Sequence, residues 1–189
     1  MQSKLVNVWD PLVRSLHWTL IGAFAVAYAS AGDEWLRVHA LAGYVVLGLV
    51  LVRVLWGFVG PGHARFSSFV RGPAAVKDYL QDLVLLKAPR YLGHNPAGGV
   101  MVVALLATLL LTTLSGLALY GASLQAGPLA QWMTGAIWLQ ADWLEETHEA
   151  LAHLCVILVL FHIAGVIFDS FLHRENLVKA MITGIKEKS

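Results

Sequence analysis

Residues 148–172 decide the fold, and they read HEALAHLCVILVLFHIAGVIFDSFL. The run is apolar along nearly its whole length, and roughly 20 such residues cross a membrane as a helix. His148 opens the run and His162 lies inside it, although ionisable side chains in a span are costly and mark functional sites. At about 100° per residue, His162 returns to within roughly 40° of His148, about 21 Å along the axis. We therefore expect a membrane helix that carries two histidines on one face, at two depths in the membrane.

The rest of the chain has the composition of a membrane protein. Of its 189 residues, 58% are hydrophobic and 13% are charged, which is far more apolar than a soluble domain of this length. Apolar runs separated by charged or Pro/Gly-rich segments predict four spans, at residues 16–31, 38–59, 98–120 and about 151–172. We expect an all-α integral membrane protein, a four-helix transmembrane bundle that forms one domain over residues 1–189.

The first apolar run is the shortest and allows a second interpretation. Basic residues precede it and small residues follow it, as in a cleaved signal peptide. Asp10 and Pro11 instead resemble the N-cap and the first-turn proline of a helix. We expect residues 16–31 to form a membrane helix and keep cleavage after Ala31 as the alternative.

Basic residues are distributed unevenly among the segments that connect the spans. All of the 13 Lys and Arg residues except Arg37 fall on one side of the predicted membrane, which marks that side as cytoplasmic. Both termini are then cytoplasmic in a multi-pass protein. The 12 acidic residues divide evenly between the sides, so the outer face is net negative and would attract a basic partner.

Two connecting segments are apolar without being spans. The segment from Pro73 to Lys87 has an apolar face and a charged face, which predicts a helix lying on the cytoplasmic membrane surface. The outer segment, residues 122–143, is interrupted by glycine and proline and contains Trp132, Trp138 and Trp143. We expect it to form an interfacial flap and not a fifth span.

Two further histidines match the two depths in the fourth span. His17 lies near the cytoplasmic start of the first span, at the depth of His162, and His39 lies near the outer start of the second, at the depth of His148. Two histidine pairs suit two haem irons, since each iron takes axial ligands from opposite sides of the macrocycle. The single cysteine, Cys155, excludes a C-x-x-C-H attachment site, so any haem would be held by ligation alone.

Other chemistries suit these residues less well. A structural zinc ion needs four ligands close together, and a proton relay needs carboxylates or histidines along a path, whereas no Asp or Glu lies deep in a predicted span. A single histidine at a span end is usually an interfacial residue, so the matched depths carry the hypothesis. His153 lies about 140° around the helix from His148, which favours packing or hydrogen bonding, with a quinone or proton-transfer role as the alternative.

Arginines lie close in sequence to two of the histidines. Arg14 precedes His17 by three residues and Arg37 precedes His39 by two. We expect these arginines to contact haem propionates at the inner and outer surfaces, with interfacial anchoring as the alternative. Arg53 is expected to extend its charged group to the cytoplasmic surface.

Several elements of the chain resemble the bacterial cytochrome b-561 family. They are Arg-x-x-His-Trp at 14–18, Val-His-Ala-x-x-Gly at 38–43, His148-Glu149 followed by His162, and Gly-His-Asn-Pro-Ala-Gly-Gly at 93–99, a stretch also similar to b-type subunits of nickel-iron hydrogenases. The resemblance covers nearly the whole chain. It implies a four-helix di-haem cytochrome of the bacterial inner membrane, with iron ligands at positions matching His17, His39, His148 and His162.

The resemblance also implies a function in electron transfer. Members of the family pass electrons between the quinone pool and a second redox partner, such as a c-type cytochrome, a hydrogenase or another dehydrogenase. We expect two haems b as cofactors, with quinone, membrane lipid and a periplasmic redox protein such as a c-type cytochrome as partners. A homodimer is a further option, and no nucleic acid is expected. No residue is assigned as catalytic, because whether the chain is a quinone oxidoreductase depends on the quinone step.

Two other functions stay open. The chain could be a haem-bearing membrane anchor of a larger hydrogenase or dehydrogenase complex, although the hydrogenase subunits are usually longer. From a different class, it could be a metal or ion transporter without haem. Copurification of a peripheral subunit favours the anchor, and a purified protein without a haem spectrum favours the transporter.

Overall fold

The computed structural model of the chain describes residues 4–133 and 142–188. Within these residues the fold is almost entirely helical. The elements in chain order are β1 (Lys4–Asn7), α1 (Pro11–Ala29), α2 (Leu36–Val59), α3 (Phe66–Phe69), α4 (Pro73–Val84), α5 (Pro96–Leu124), α6 (Asp142–Leu172), α7 (Leu177–Thr183) and β2 (Ile185–Lys188), with short 3-10 turns at Asp33–Trp35, Gly62–Ala64 and Ala130–Trp132.

Four of the described helices are long and apolar enough to cross a membrane: α1, α2 with the turn before it, α5 and α6. The prediction of four spans is confirmed. Each helix begins before its predicted apolar run, because residues that precede the run also adopt helical geometry, and α1 ends at Ala29, two residues before the predicted end at Ala31. In α1, the Asp10 carboxylate accepts hydrogen bonds from the backbone N–H groups of Leu12 (3.0 Å) and Val13 (3.1 Å). The predicted N-cap at Asp10, followed by Pro11 in the first turn, is therefore present.

Helix α4 lies in the segment predicted to rest on the membrane surface. It ends at Val84, earlier than the predicted Lys87, and Leu86 adopts a left-handed φ of 58° just beyond it. Tyr79 is buried and donates a hydrogen bond to Asp169 at 3.2 Å, whereas Val84 is 82% exposed. The exposed apolar side borders an open groove of about 950 Å³ toward Val100. Helix formation agrees with the prediction, and the location of α4 on a membrane stays a prediction.

The predicted interfacial flap begins differently in the structure. Helix α5 continues to Leu124, so residues 122–124 belong to a helix and not to the flap. Beyond it, Trp132 closes a short 3-10 turn and is 79% exposed. Trp138 and the rest of residues 134–141 lie outside the described residues.

The chain forms two compact units, which we call unit 1 and unit 2. Unit 1 comprises Met1–Trp18, Val52–Ala104 and Leu158–Ser189, and unit 2 comprises Thr19–Leu51 and Leu105–Ile157. Each of the four long helices divides its residues between the two units. In unit 2, Val50 and Cys155 are fully buried, and the Cys155 thiol lies 3.7 Å from the Thr112 hydroxyl. The expectation of a single domain stays a prediction.

In unit 1, the two ends of the chain pair as strands, which the sequence analysis did not predict. Strands β1 and β2 are antiparallel, with Lys4 opposite Lys188 and Asn7 opposite Ile185. Gly184, at a φ of +82°, precedes β2, and its carbonyl accepts hydrogen bonds from Val8 and Trp9 at 2.8 and 3.1 Å. A left-handed φ favours glycine, so Gly184 directs the chain back toward its own beginning.

Charged side chains support this terminal pairing. Lys186 is buried and lies 3.1 Å from Glu175, and it donates to the backbone carbonyl of Tyr91 at 3.1 Å. Arg90 binds the same carboxylate at 2.9 Å. A buried lysine needs such partners, so the Glu175 carboxylate helps to hold β2 in unit 1.

Candidate functional site

Two of the predicted site residues, His39 and His148, meet in unit 2. His39 lies in the first turn of α2 and His148 in the second turn of α6. Their ring centroids are 5.9 Å apart and the ring planes are inclined by 82°. The structure therefore brings together the pair that the depth argument placed near the outer surface.

Backbone carbonyls fix the orientation of both rings. The His39 Nδ1 atom lies 2.8 Å from the carbonyl oxygen of Ala27, and the His148 Nδ1 atom lies 3.0 Å from the carbonyl oxygen of Thr112. A carbonyl only accepts hydrogen bonds, so a neutral imidazole in this position carries its proton on Nδ1 and its lone pair on Nε2. Such hydrogen bonds are typical of metal-binding histidines.

Helix α5 supplies contacts that the sequence analysis did not anticipate. The Ser115 hydroxyl lies 3.1 Å from His148 Nδ1, beside the Thr112 carbonyl. A Cβ atom on Gly116 would lie 2.8 Å from Cε1 of His148, so only glycine leaves room for the ring. Thr112, Ser115 and Gly116 follow i, i+3, i+4 spacing and share one helix face. This stripe of small and polar residues in the third span was the feature of the sequence that could have predicted the contacts with His148.

The other two predicted ligands, His17 and His162, meet in unit 1. Their ring centroids are 6.4 Å apart and the ring planes are inclined by 62°. The His17 Nδ1 atom is enclosed and has no hydrogen-bond partner among the described residues. This pair therefore lacks, at His17, the carbonyl contact that both histidines of unit 2 possess.

The arginines differ in their surroundings. In unit 1, Arg14 Nη1 donates to the carbonyl of Thr183 at 2.9 Å, while its Nε atom is enclosed without a partner in the described part of the chain. In unit 2, Arg37 is exposed at the second position of α2. Arg53 was expected at the surface, and that expectation is wrong. The residue is 8% exposed, and its guanidinium lies 5.4 Å from the ring centroid of Phe66.

Two further histidines have other environments. His153 stays outside the unit 2 pair: it is exposed and faces the ring of Tyr28 at 6.4 Å. In unit 1, the ring of His94 lies between Trp9 at 4.7 Å and Phe69 at 4.6 Å. Burial lowers the pKa of His94 to about 3, and the nearby charges of Arg53 and His162 act in the same direction. His94 is therefore neutral near pH 7.

The geometry of both pairs fits an iron between two imidazoles. With a nitrogen–metal bond of about 2 Å, as in zinc sites, imidazoles on opposite sides of one metal have ring centres roughly 6 Å apart. The two observed separations, 6.4 and 5.9 Å, agree with this value. Cβ atoms added to Gly43, near His39, or to Gly165, near His162, would meet nothing within 4 Å. About one helical turn after one histidine of each pair, the helix surface is thus open beside a glycine.

The histidines form pairs and not larger clusters. Among residues 4–133 and 142–188, no group of three or more His, Cys, Asp or Glu side chains is arranged to hold a metal ion. A two-ligand site suits a cofactor that supplies the remaining ligands itself, as a porphyrin does.

Comparison with known protein families identifies the chain. A family model described as prokaryotic cytochrome b561 matches residues 8–184. The chain belongs to this family. It is therefore a membrane cytochrome that carries haem b and transports electrons.

Curated relatives of this cytochrome b561 are similar over most of its length. Each is a probable Ni/Fe-hydrogenase B-type cytochrome subunit. The protein from Bradyrhizobium diazoefficiens is 24% identical over 96% of this chain and 86% of its own length. The protein from Rhizobium leguminosarum bv. viciae is 26% identical over 97% and 90%, and the one from Azotobacter chroococcum mcd 1 is 30% identical over 77% and 65%. No solved structure matches the chain.

Proposed function

We propose that this cytochrome binds two haems b and transfers electrons between a periplasmic redox partner and the quinone pool. One haem would lie between His17 and His162, and the other between His39 and His148. The observation that carries the proposal is the separation of the paired rings, 6.4 and 5.9 Å, within each compact unit. Each pair offers two imidazoles to one iron, as bis-histidine cytochromes require.

The residues of the chain hold and tune the cofactor. When bound, haem b supplies an iron that accepts and releases one electron. The Ala27 and Thr112 carbonyls keep His39 and His148 oriented and increase the basicity of the ligating nitrogen. Arg14 and Arg37 would contact propionates of the haems bound by His17 and His39. The burial and the charges around each pair would adjust its potential.

The membrane orientation in this proposal rests on the basic residues, whose distribution favours cytoplasmic termini in a bacterial inner membrane. The pairing of β1 with β2 supports a chain whose two ends lie on the same side of the membrane. In this orientation His39 and His148 serve the periplasmic partner, and the acidic residues Asp33, Glu34 and Glu145 lie on that side. A partner with a basic surface would be attracted there.

A pyridine haemochrome assay on the purified protein tests the cofactor content. We expect two haems b per chain, and we expect a short-chain quinol to reduce both of them in the absence of oxygen. A protein that purifies with no haem would exclude the proposal and would favour a transporter. One haem per chain would show that one histidine pair has another role.

A second function is favoured by the relatives' names. In this second function, the chain is the haem-bearing membrane subunit of a hydrogenase-like complex and delivers electrons from that enzyme to quinone. The match spans 86% and 90% of the first two relatives, so chain length does not oppose this function. Mild detergent extraction followed by affinity purification distinguishes the two. A metalloenzyme that copurifies in a fixed ratio supports the subunit, and light scattering on the same sample tests for a homodimer.

A further inference from the structure

Arg53 is a buried cation in unit 1 with little to balance its charge. It is 8% exposed, and its Nη1 atom is enclosed without a hydrogen-bond partner among the described residues. The guanidinium carbon lies over the face of the Phe66 ring, 5.4 Å from its centroid. Burying a charge without a partner is energetically unfavourable. The environment of Arg53 is therefore incomplete without an anionic group.

One acidic residue, Asp10, acts on Arg53 from a distance. The charge of Asp10 interacts with Arg53, but no carboxylate oxygen in the described residues lies within ion-pair distance of Arg53. One oxygen of Asp10 accepts the two backbone hydrogen bonds that cap α1. Asp10 therefore acts on Arg53 without forming a direct ion pair with it.

Arg53 belongs to unit 1, as do His17 and His162. Its guanidinium lies over the ring of Phe66, which is 5.8 Å from the ring of Phe69, and Phe69 is 4.6 Å from His94. The charges of Arg53 and His162 both lower the pKa of His94. Arg14, three residues before His17 on α1, also has an enclosed nitrogen, Nε, without a partner in the described part of the chain. Two arginines with unused donors therefore belong to the unit that contains this histidine pair.

We propose that Arg53, together with Arg14, binds the propionate carboxylates of the haem held by His17 and His162. Haem b has two propionates, and a guanidinium binds a carboxylate through two parallel hydrogen bonds. The inference rests on the proposed function and adds a cofactor-binding residue, Arg53, to it. Arg53 is a positioning and tuning residue, since it acts on the carboxylates and not on the iron.

A buried positive charge near the iron also affects its redox equilibrium. Reduction lowers the charge of the haem by one, so a neighbouring cation stabilises the reduced form, and the effect is strong where the dielectric constant is low. Removing Arg53 should therefore lower the midpoint potential of this haem and weaken its retention. The haem between His39 and His148 should keep its potential.

The test uses purified holoprotein and variants that retain a single haem. In a H148A background, which leaves the His17–His162 site, R53Q should shift the midpoint potential downward in an optical redox titration. In a H17A background, which leaves the other site, R53Q should change nothing. R71Q, which removes an exposed arginine of unit 1, is the matched control and should leave both potentials unchanged. The propionate bands in resonance Raman spectra should move only in the H148A background.

The outcomes separate this inference from the function on which it rests. A wild-type protein without two haems rejects the proposed function before any Arg53 variant is made. With two haems present, an unchanged potential in H148A/R53Q, or equal shifts in the two backgrounds, overturns the role of Arg53. If R53Q cannot be purified, R53K carries the test, because lysine keeps the charge but loses the two-pronged hydrogen bonding. Raman propionate bands identical to wild type in R53K would overturn the inference.

Discussion

The two histidine pairs have similar ring separations but are held in different ways. In unit 2, His39 and His148 each direct Nδ1 to a backbone carbonyl, at 2.8 and 3.0 Å. In unit 1, His17 Nδ1 is enclosed without a partner, and the buried Arg53 has an unused donor. Unit 2 therefore orients its two histidines by hydrogen bonds to backbone carbonyls, whereas unit 1 leaves His17 without such a bond and contains a buried cation. Two histidine pairs of similar ring separation thus have different surroundings.

The largest expected effect comes from removing a ligand. His17→Ala or His162→Ala should lose one haem, and His39→Ala or His148→Ala should lose the other, because a single imidazole gives much weaker ligation. The pyridine haemochrome assay should fall from two haems to one in each case. The control is His153→Ala, which should keep both. If that variant lost a haem while His148→Ala kept two, the assignment of ligands on α6 would be wrong.

A second prediction concerns the packing of Gly116 against the His148 ring in unit 2. In Gly116→Ala the new Cβ atom would lie 2.8 Å from the His148 ring, so the ring must shift away from its carbonyl partner. We expect reduced occupancy of the His39–His148 haem and an unchanged second haem, measured by the same assay. Gly48→Ala is the control, since Gly48 has open space and lies about 180° around α2 from His39. Equal losses in both variants would contradict the specific role of Gly116.

A third prediction concerns pH and unit 1. Burial lowers the pKa of His94 to about 3 from 6.5, so below pH 6.5 the unfolded chain binds a proton that the folded protein does not. Stability is then fully present above pH 6.5 and is lost as the pH falls, at about 1.4 kcal/mol per pH unit from this residue. His94→Asn should reduce the pH dependence of thermal unfolding in detergent, measured from pH 8 downward. Identical pH profiles for variant and wild type would refute the effect.

The smallest expected effect comes from Ser115. Its hydroxyl shares His148 Nδ1 with the Thr112 carbonyl, and the carbonyl stays in Ser115→Ala. Losing a whole hydrogen-bond partner of a metal ligand typically costs about 10- to 100-fold in affinity. Since the carbonyl remains, we expect Ser115→Ala to weaken haem affinity by less than about tenfold. Haem transfer to an excess of a haem-binding acceptor protein measures this change in affinity. Thr113→Ala, whose hydroxyl bonds to its own helix, should match wild type.

The histidine pairs could be anticipated because they depend on local rules. A helix repeat of about 3.6 residues places His148 and His162 on one face, and the positions of His17 and His39 at opposite ends of their spans supply the matching depths. Asp10 and Pro11 were predictable for the same reason, since capping involves neighbouring residues. The role of these histidines as ligands stays a proposal.

Features that depend on distant residues were not predictable from the sequence. Strands β1 and β2 pair residues that are separated by almost the entire chain, and neither segment shows a strong alternating pattern. Arg53 was expected to reach the surface, because a long cationic side chain near a span end usually does. The structure instead buries it against Phe66, a residue from a different helix.

By itself, the sequence determined the class of the protein, its four spans and the set of histidines from which any haem ligands must come. These follow from hydrophobicity and helical periodicity, which act over short distances along the chain. Only the tertiary structure decided which carbonyls orient His39 and His148 and that Gly116 makes room for a ring. It also decided that Arg53 is buried. Such contacts depend on how separate helices approach each other, because a hydrogen bond is directional and short-ranged.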